Sequence, residues 1–143
     1  MKYVVGASML VRKEVLDEVG LMNEDYFLYF EEIDWATRAK KRFPLAYAPR
    51  SLVYHKEGGS TGTAPQSQLQ PAMCDYYATR NRILFTRRFH RLSLPTVLAA
   101  VTGSFFYRFA RGSPRNGRAV LRGAWDALRG VNGESFLTQS GRE

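Results

Sequence analysis

The stretch "YFLYFEEIDWATR", residues 26–38, sets four aromatics (Tyr26, Phe27, Tyr29 and Phe30) directly ahead of three acids, Glu31, Glu32 and Asp34. Like charges this close repel, and flanking aromatics remove the water that would screen them. Two readings follow. In one, the acids sit on the first turn of a helix, whose positive end stabilises each by about 0.3–1 kcal/mol. In the other, a cationic or protic ligand needs them there. Either way the residues from 31 to about 43 predict an amphipathic helix: Ile33, Ala36, Ala39 and Phe43 recur near the 3.6 period. The acids come first, Arg38, Lys40, Lys41 and Arg42 come last, and Pro44 stops the pattern. On such a helix Glu31 and Asp34 share a face while Glu32 and Asp34 point in roughly opposite directions, so the three acids do not form one site.

Working outward, residues 3–11 ("YVVGASMLV") read as a strand, a turn at Gly6-Ala7-Ser8 and a second apolar run. "RKEVLDEVG" follows as a short helix stopped by Gly20, and "LMNEDY" as a polar turn. After Pro44, "LAYAP" and "SLVYHK" predict two short strands separated by Pro49, and "EGGSTGTAPQSQ" predicts a loop. Residues 71–90, 95–110 and 118–129 predict three helices, and the tail from Gly130 reads as frayed. The expectation is a mixed α/β chain, with an α/β part over residues 1–68 and a helical, basic part over 69–143.

A chain of 143 residues supports one domain with a modest core, and 45% hydrophobic and 13% aromatic content excludes a disordered chain. The single cysteine, Cys74, excludes an internal disulfide and fits a reducing compartment, reading as a small buried residue. The start "MKYVVGASML" is too short and too quickly charged for a secretory signal, and no run reaches the roughly 18 apolar residues of a clear membrane span. The net charge of +8 is uneven: residues 1–79 carry nine Lys+Arg against ten Asp+Glu, residues 80–143 twelve Arg against three acids. That asymmetry points to an anionic partner for the second half. Nucleic acid is a poor candidate, since no recognition motif is present and the basic half is too apolar to track phosphates.

Four elements in order, Gly6-Ala7, "VGLMNEDYFLYFEEIDWATR" (19–38), "YAPRSLVYHKEGGST" (47–61) and "YYATRN" (76–81), resemble the C-terminal half of family-2 inverting glycosyltransferases of the GT-A fold. The resemblance is greatest to bacterial rhamnosyltransferase-like enzymes of cell-surface polysaccharide synthesis, and covers about residues 3–90. It implies transfer of a sugar, with inversion, from a nucleotide-sugar donor to a glycan or lipid-linked acceptor. It puts the general base in the Glu31-Glu32 pair, with Glu32 favoured although Asp is commoner there. It puts Gly6, Ala7, Tyr29, Asp34 and Trp35 on the acceptor side, and Gly59, Ser60, Thr61, Arg80 and Asn81 by the donor phosphates. It makes His55 a ligand to a divalent metal, Mg²⁺ or Mn²⁺, whose other ligands would come from an Asp-x-Asp motif. No Asp-x-Asp occurs in these residues, so the resemblance implies a separate N-terminal donor-binding half and little turnover by this chain alone.

For residues 92–111 two readings stand. Their apolar run, flanked by Arg87, Arg88, Arg91, Arg108 and Arg111, suits a helix lying on an anionic membrane surface, and equally a core helix packed on residues 118–129. The expected location is cytoplasmic, at the inner face of the membrane in the first case. The alternative function is a non-catalytic basic module at that surface.

Overall fold

The computed structural model describes residues 6–54 and 71–136. They form α1 (Lys13–Val19), α2 (Glu31–Ala39), α3 (Ala72–Phe89), α4 (Leu94–Ala110) and α5 (Pro114–Leu128), with 3₁₀ turns at Glu24–Tyr26 and Arg91–Ser93. Among the described residues there is no strand. This overturns the mixed α/β expectation, and with it a GT-A fragment as the fold of this chain. The reason is physical: apolar alternation becomes a strand only when a neighbouring backbone completes the ladder. Among the described residues, 45–49 and 51–54 meet no such neighbour, and Tyr47, Leu52 and Tyr54 stay exposed.

The helices follow the sequence pattern closely. Gly20 ends α1 at φ 78°, its N–H donating to Leu16 O at 2.9 Å. The chain leaves α2 after Ala39, earlier than Pro44 requires, but successive turns still return Phe43 to the core. α5 begins at Pro114, four residues ahead of its apolar pattern, with proline in the first turn where no N–H is needed.

Three apolar clusters hold the chain together. Val15, Trp35 and Ala39, with Met9, Val11 and Met22, join α1 to α2. Ile83, Val101, Val120 and Ala127 join α3, α4 and α5. Tyr76, Tyr77 and Ala119 gather Leu28, Tyr29 and Phe136 between the two groups. α3 runs closest to α5: a Cβ on Gly123 would lie 2.5 Å from the backbone oxygen of Tyr76. α4 is a core helix along one face, where Val101 is buried and Leu94, Val97, Leu98 and Phe105 pack inward. Its other face is open, with Phe106 63% and Tyr107 56% exposed. Among the described residues no helix is long and apolar enough to cross a membrane.

The tail is not frayed as far as it is described. Gly133 N–H donates to Asp25 O at 2.8 Å, Ser135 is buried, and the Phe136 ring lies 5.1 Å from that of Tyr76.

Candidate active site

The aromatic stretch folds into a turn that only its surroundings can hold. Phe27, Tyr29 and Phe30 all have positive φ, at 60°, 66° and 74°. Leu28 N–H donates to Tyr26 O at 2.7 Å, closing a three-residue turn around Phe27. Such conformations cost non-glycine residues about 1–3 kcal/mol each and persist where the environment over-determines them. Here α3 supplies that environment. Asn81, fully buried, turns its side-chain amide to Tyr26 O, Leu28 O and Tyr29 O at 2.8, 2.6 and 3.0 Å. Arg80, also fully buried, donates through Nη2 to Asp25 O and Tyr26 O and through Nη1 to Gly133 O and Ser135 Oγ. Its Nε donates to Asn81 Oδ1 at 2.9 Å, orienting the amide. The Phe27 ring lies against Tyr77 and the Phe30 ring against Phe85.

This turn delivers Glu31 and Glu32 to the start of α2, where Phe30 is the N-cap residue and no side chain caps the helix. Glu31 Oε2 and Glu32 Oε2 are both buried without a hydrogen-bond partner among the described residues. Burial pushes the Glu31 carboxyl above its usual range and the Glu32 charge adds to this, while a hydrogen bond to its own backbone opposes them. Buried carboxylate oxygens without donors are costly and uncommon. Glu31 stands on the wall of a cleft of about 640 Å³ with Met22, Phe27, Asn132 and Glu134. Glu32 lies beside Gly6, where a Cβ would be 3.9 Å from its own.

The other expected site residues fall in different places. Gly6 comes beside Glu32, and Ala7 is exposed next to it. Tyr29 is half-buried; burial and a hydrogen bond with Cys74 hold its phenol well above the usual range. Asp34 is consumed within the fold: fully buried, it accepts from Tyr26 at 3.0 Å and pairs with Arg38 at 2.8 Å and Arg88 at 3.2 Å. Trp35 is likewise internal, its indole N–H donating to Gly20 O at 2.8 Å. Arg80 and Asn81, expected by the donor phosphates, are fully buried and clamp the aromatic turn. His55, Gly59, Ser60 and Thr61 lie outside the described residues. Among the described residues no group of three or more His, Cys, Asp or Glu could hold a metal ion.

Sequence reasoning missed two things. Asn132 and Glu134 reach the Glu31 cleft from a tail that composition alone marks as loose. A second cleft of about 640 Å³, on the far side of the 23–26 turn, is lined by Arg87, Arg88 and Arg91; the Arg-rich end of α3 was the available signal.

Two kinds of glycosyltransferase are similar to part of this chain. The chain is 37% identical over 68 residues to an N-acetylglucosaminyl-diphospho-decaprenol L-rhamnosyltransferase from two strains of Mycobacterium tuberculosis. That match covers 47% of this chain and 22% of the relative. It is 23% identical over 104 residues to the low-salt glycan biosynthesis hexosyltransferase Agl10 of Haloferax volcanii, covering 68% of this chain and 32% of the relative. The chain thus spans about a fifth to a third of these relatives' length. No protein-family model and no solved structure matches it. The partial matches relate the chain to glycosyltransferases.

Proposed function

We propose that this chain carries the acceptor side of a glycosyl transfer in cell-surface glycan synthesis, with Glu32 as the general base and Glu31 as its partner. The acceptor is a prenyl-diphosphate-linked sugar, the class that the name of the rhamnosyltransferase relative indicates. The observation that carries the reading is the pair of buried carboxylate oxygens, without a hydrogen-bond partner among the described residues, that directly follows a strained turn. A carboxylate there takes the proton of the acceptor hydroxyl as its oxygen attacks the sugar's anomeric carbon, on the face opposite the departing nucleotide. Burial, with the Glu32 charge beside it, raises the proton affinity of Glu31. The aromatic turn offers a sugar ring a stacking face through the half-exposed Phe27.

The open face of α4 supports a place at an anionic membrane surface. Residues 92–107 hold no charge, and Arg91, Arg108 and Arg111 flank them. That arrangement lets apolar side chains enter the headgroup region while guanidiniums meet lipid phosphates.

The test joins this chain to the N-terminal part of the Mycobacterium tuberculosis relative and measures sugar transfer from a panel of nucleotide-sugars to prenyl-diphosphate-linked N-acetylglucosamine. Transfer that falls by about 10²–10⁴-fold in kcat in Glu32→Gln, with the fold intact, supports the reading. A dead Glu31→Gln beside an active Glu32→Gln would move the base to Glu31. A folded fusion inactive with every donor would sink the proposal in favour of a non-catalytic basic module.

A further inference from the structure

We propose that the Arg87–Arg88–Arg91 cleft binds the diphosphate of the acceptor lipid, with the prenyl chain leaving over Leu84 and Leu94. The inference rests on the acceptor class proposed above and adds the subsite that recognises it. Each arginine is tethered and keeps further N–H donors: Arg87 Nη1 to Ala127 O at 2.7 Å and Leu128 O at 3.5 Å, Arg88 Nη1 to Asp34 Oδ2 at 3.2 Å with its guanidinium over the Phe89 ring, Arg91 Nε to Arg87 O at 3.0 Å. The tethers hold the guanidiniums at one cleft wall and reduce the entropy lost on binding. Three such groups within five residues repel one another, and residues 76–125 contain no Asp or Glu to offset them. Asp34 is already shared with Arg38 and Tyr26. Guanidinium forks match phosphate oxygens bidentately, so a group with two adjacent phosphates is the natural counter-charge.

The rest of the wall selects the source of that diphosphate. Leu84 and Leu94, partly buried against the core of α3, α4 and α5, line the cleft beside the arginines. The aromatic on the wall, Tyr26, is only 2% exposed, leaving no ring on which a nucleobase could stack. The pattern fits an anion with an alkyl chain better than a nucleotide. Asn23, Asp25 and Asn132 line both this cleft and the Glu31 cleft. A sugar on the diphosphate therefore extends past them towards Glu31. Asp25, the acid on this wall, repels phosphate and accepts from sugar hydroxyls, which favours that direction.

The test is calorimetric titration of the 143-residue chain with geranyl diphosphate, geraniol, inorganic pyrophosphate and UDP at one salt concentration. Geranyl diphosphate should bind about tenfold or more tighter than each of the other three, and Arg91→Glu and Arg88→Ala should each weaken it about tenfold with helix content unchanged. Glu31→Gln and Glu32→Gln should leave this binding unaltered, so it stands or falls separately from the base assignment. Arg82→Glu, on an exposed position of α3 outside the cleft, controls for overall charge. Equal binding of UDP or pyrophosphate would overturn the proposal in favour of a nucleotide or free-phosphate site. Equal binding of geraniol, no binding of geranyl diphosphate, or equal losses in Arg82→Glu and Arg91→Glu would also overturn it.

Discussion

Replacing Asn81 by alanine isolates what holds the aromatic turn. Tyr26 O keeps two donors after the substitution, Arg80 Nη2 at 2.8 Å and Leu28 N–H at 2.7 Å. Leu28 O and Tyr29 O lose the amide donor, and Arg80 Nε loses its acceptor inside the protein. The two carbonyl contacts are only partly buried, so water replaces some of what is lost, at about 1 kcal/mol each; the charged donor adds about 1.5–3 kcal/mol. The expected loss is therefore about 3–5 kcal/mol, a large share of the 5–15 kcal/mol typical of a domain. Because three left-handed residues depend on the clamp, the turn should relax first, ahead of the α3–α5 core. Urea unfolding followed by circular dichroism measures the total, with Arg82→Ala as the exposed control. Amide exchange at Leu28 and in the first turn of α2 measures the local part. A loss below about 1 kcal/mol, or exchange at Leu28 no faster than in the parent, would refute the clamp.

Two glycines should respond to alanine with opposite signs. Gly123→Ala drives a methyl against Tyr76 O and should cost about 1–3 kcal/mol. Gly103→Ala, in the α4 interior with nothing within 4 Å, should stabilise by about 0.5–1 kcal/mol; thermal melts of the two decide it. Glu31→Gln should raise the melting temperature at neutral pH and have little effect in acid. A carboxyl whose folded pKa is raised binds its proton more tightly in the native state, so its contribution is complete below the ordinary carboxylate pKa. It is lost as pH rises through the folded value, and a stabilisation that is the same in acid and at neutrality would contradict this. The chain should co-sediment with anionic but not neutral vesicles, more weakly as salt rises. Phe106→Ser with Tyr107→Ser, both on the open face of α4, should remove the salt-resistant part, and unchanged pelleting by that variant would count against a membrane role.

All five α-helices were legible in the sequence, though α2 stops short of Pro44 and α5 starts ahead of residue 118, because each announces itself locally: apolar residues at helical spacing, Gly20 as a stop and Pro71 at the start of α3. The placing of Glu31 and Glu32 on a first turn, and of Asp34 away from Glu32, follows from the same periodicity. What the sequence could not decide were matters of partnership. The runs at 45–49 and 51–54 have strand composition, but a ladder needs a second backbone, and the described residues supply none. Arg80 and Asn81 look like the solvated face of a helix, and only their burial against carbonyls some 50 positions earlier in the chain makes them the clamp of the turn. The readings of residues 92–111 as core or as surface both describe α4, one for each face. Tertiary packing alone divides them, because a helix that is apolar nearly all round does not record in its sequence which side meets α3 and α5.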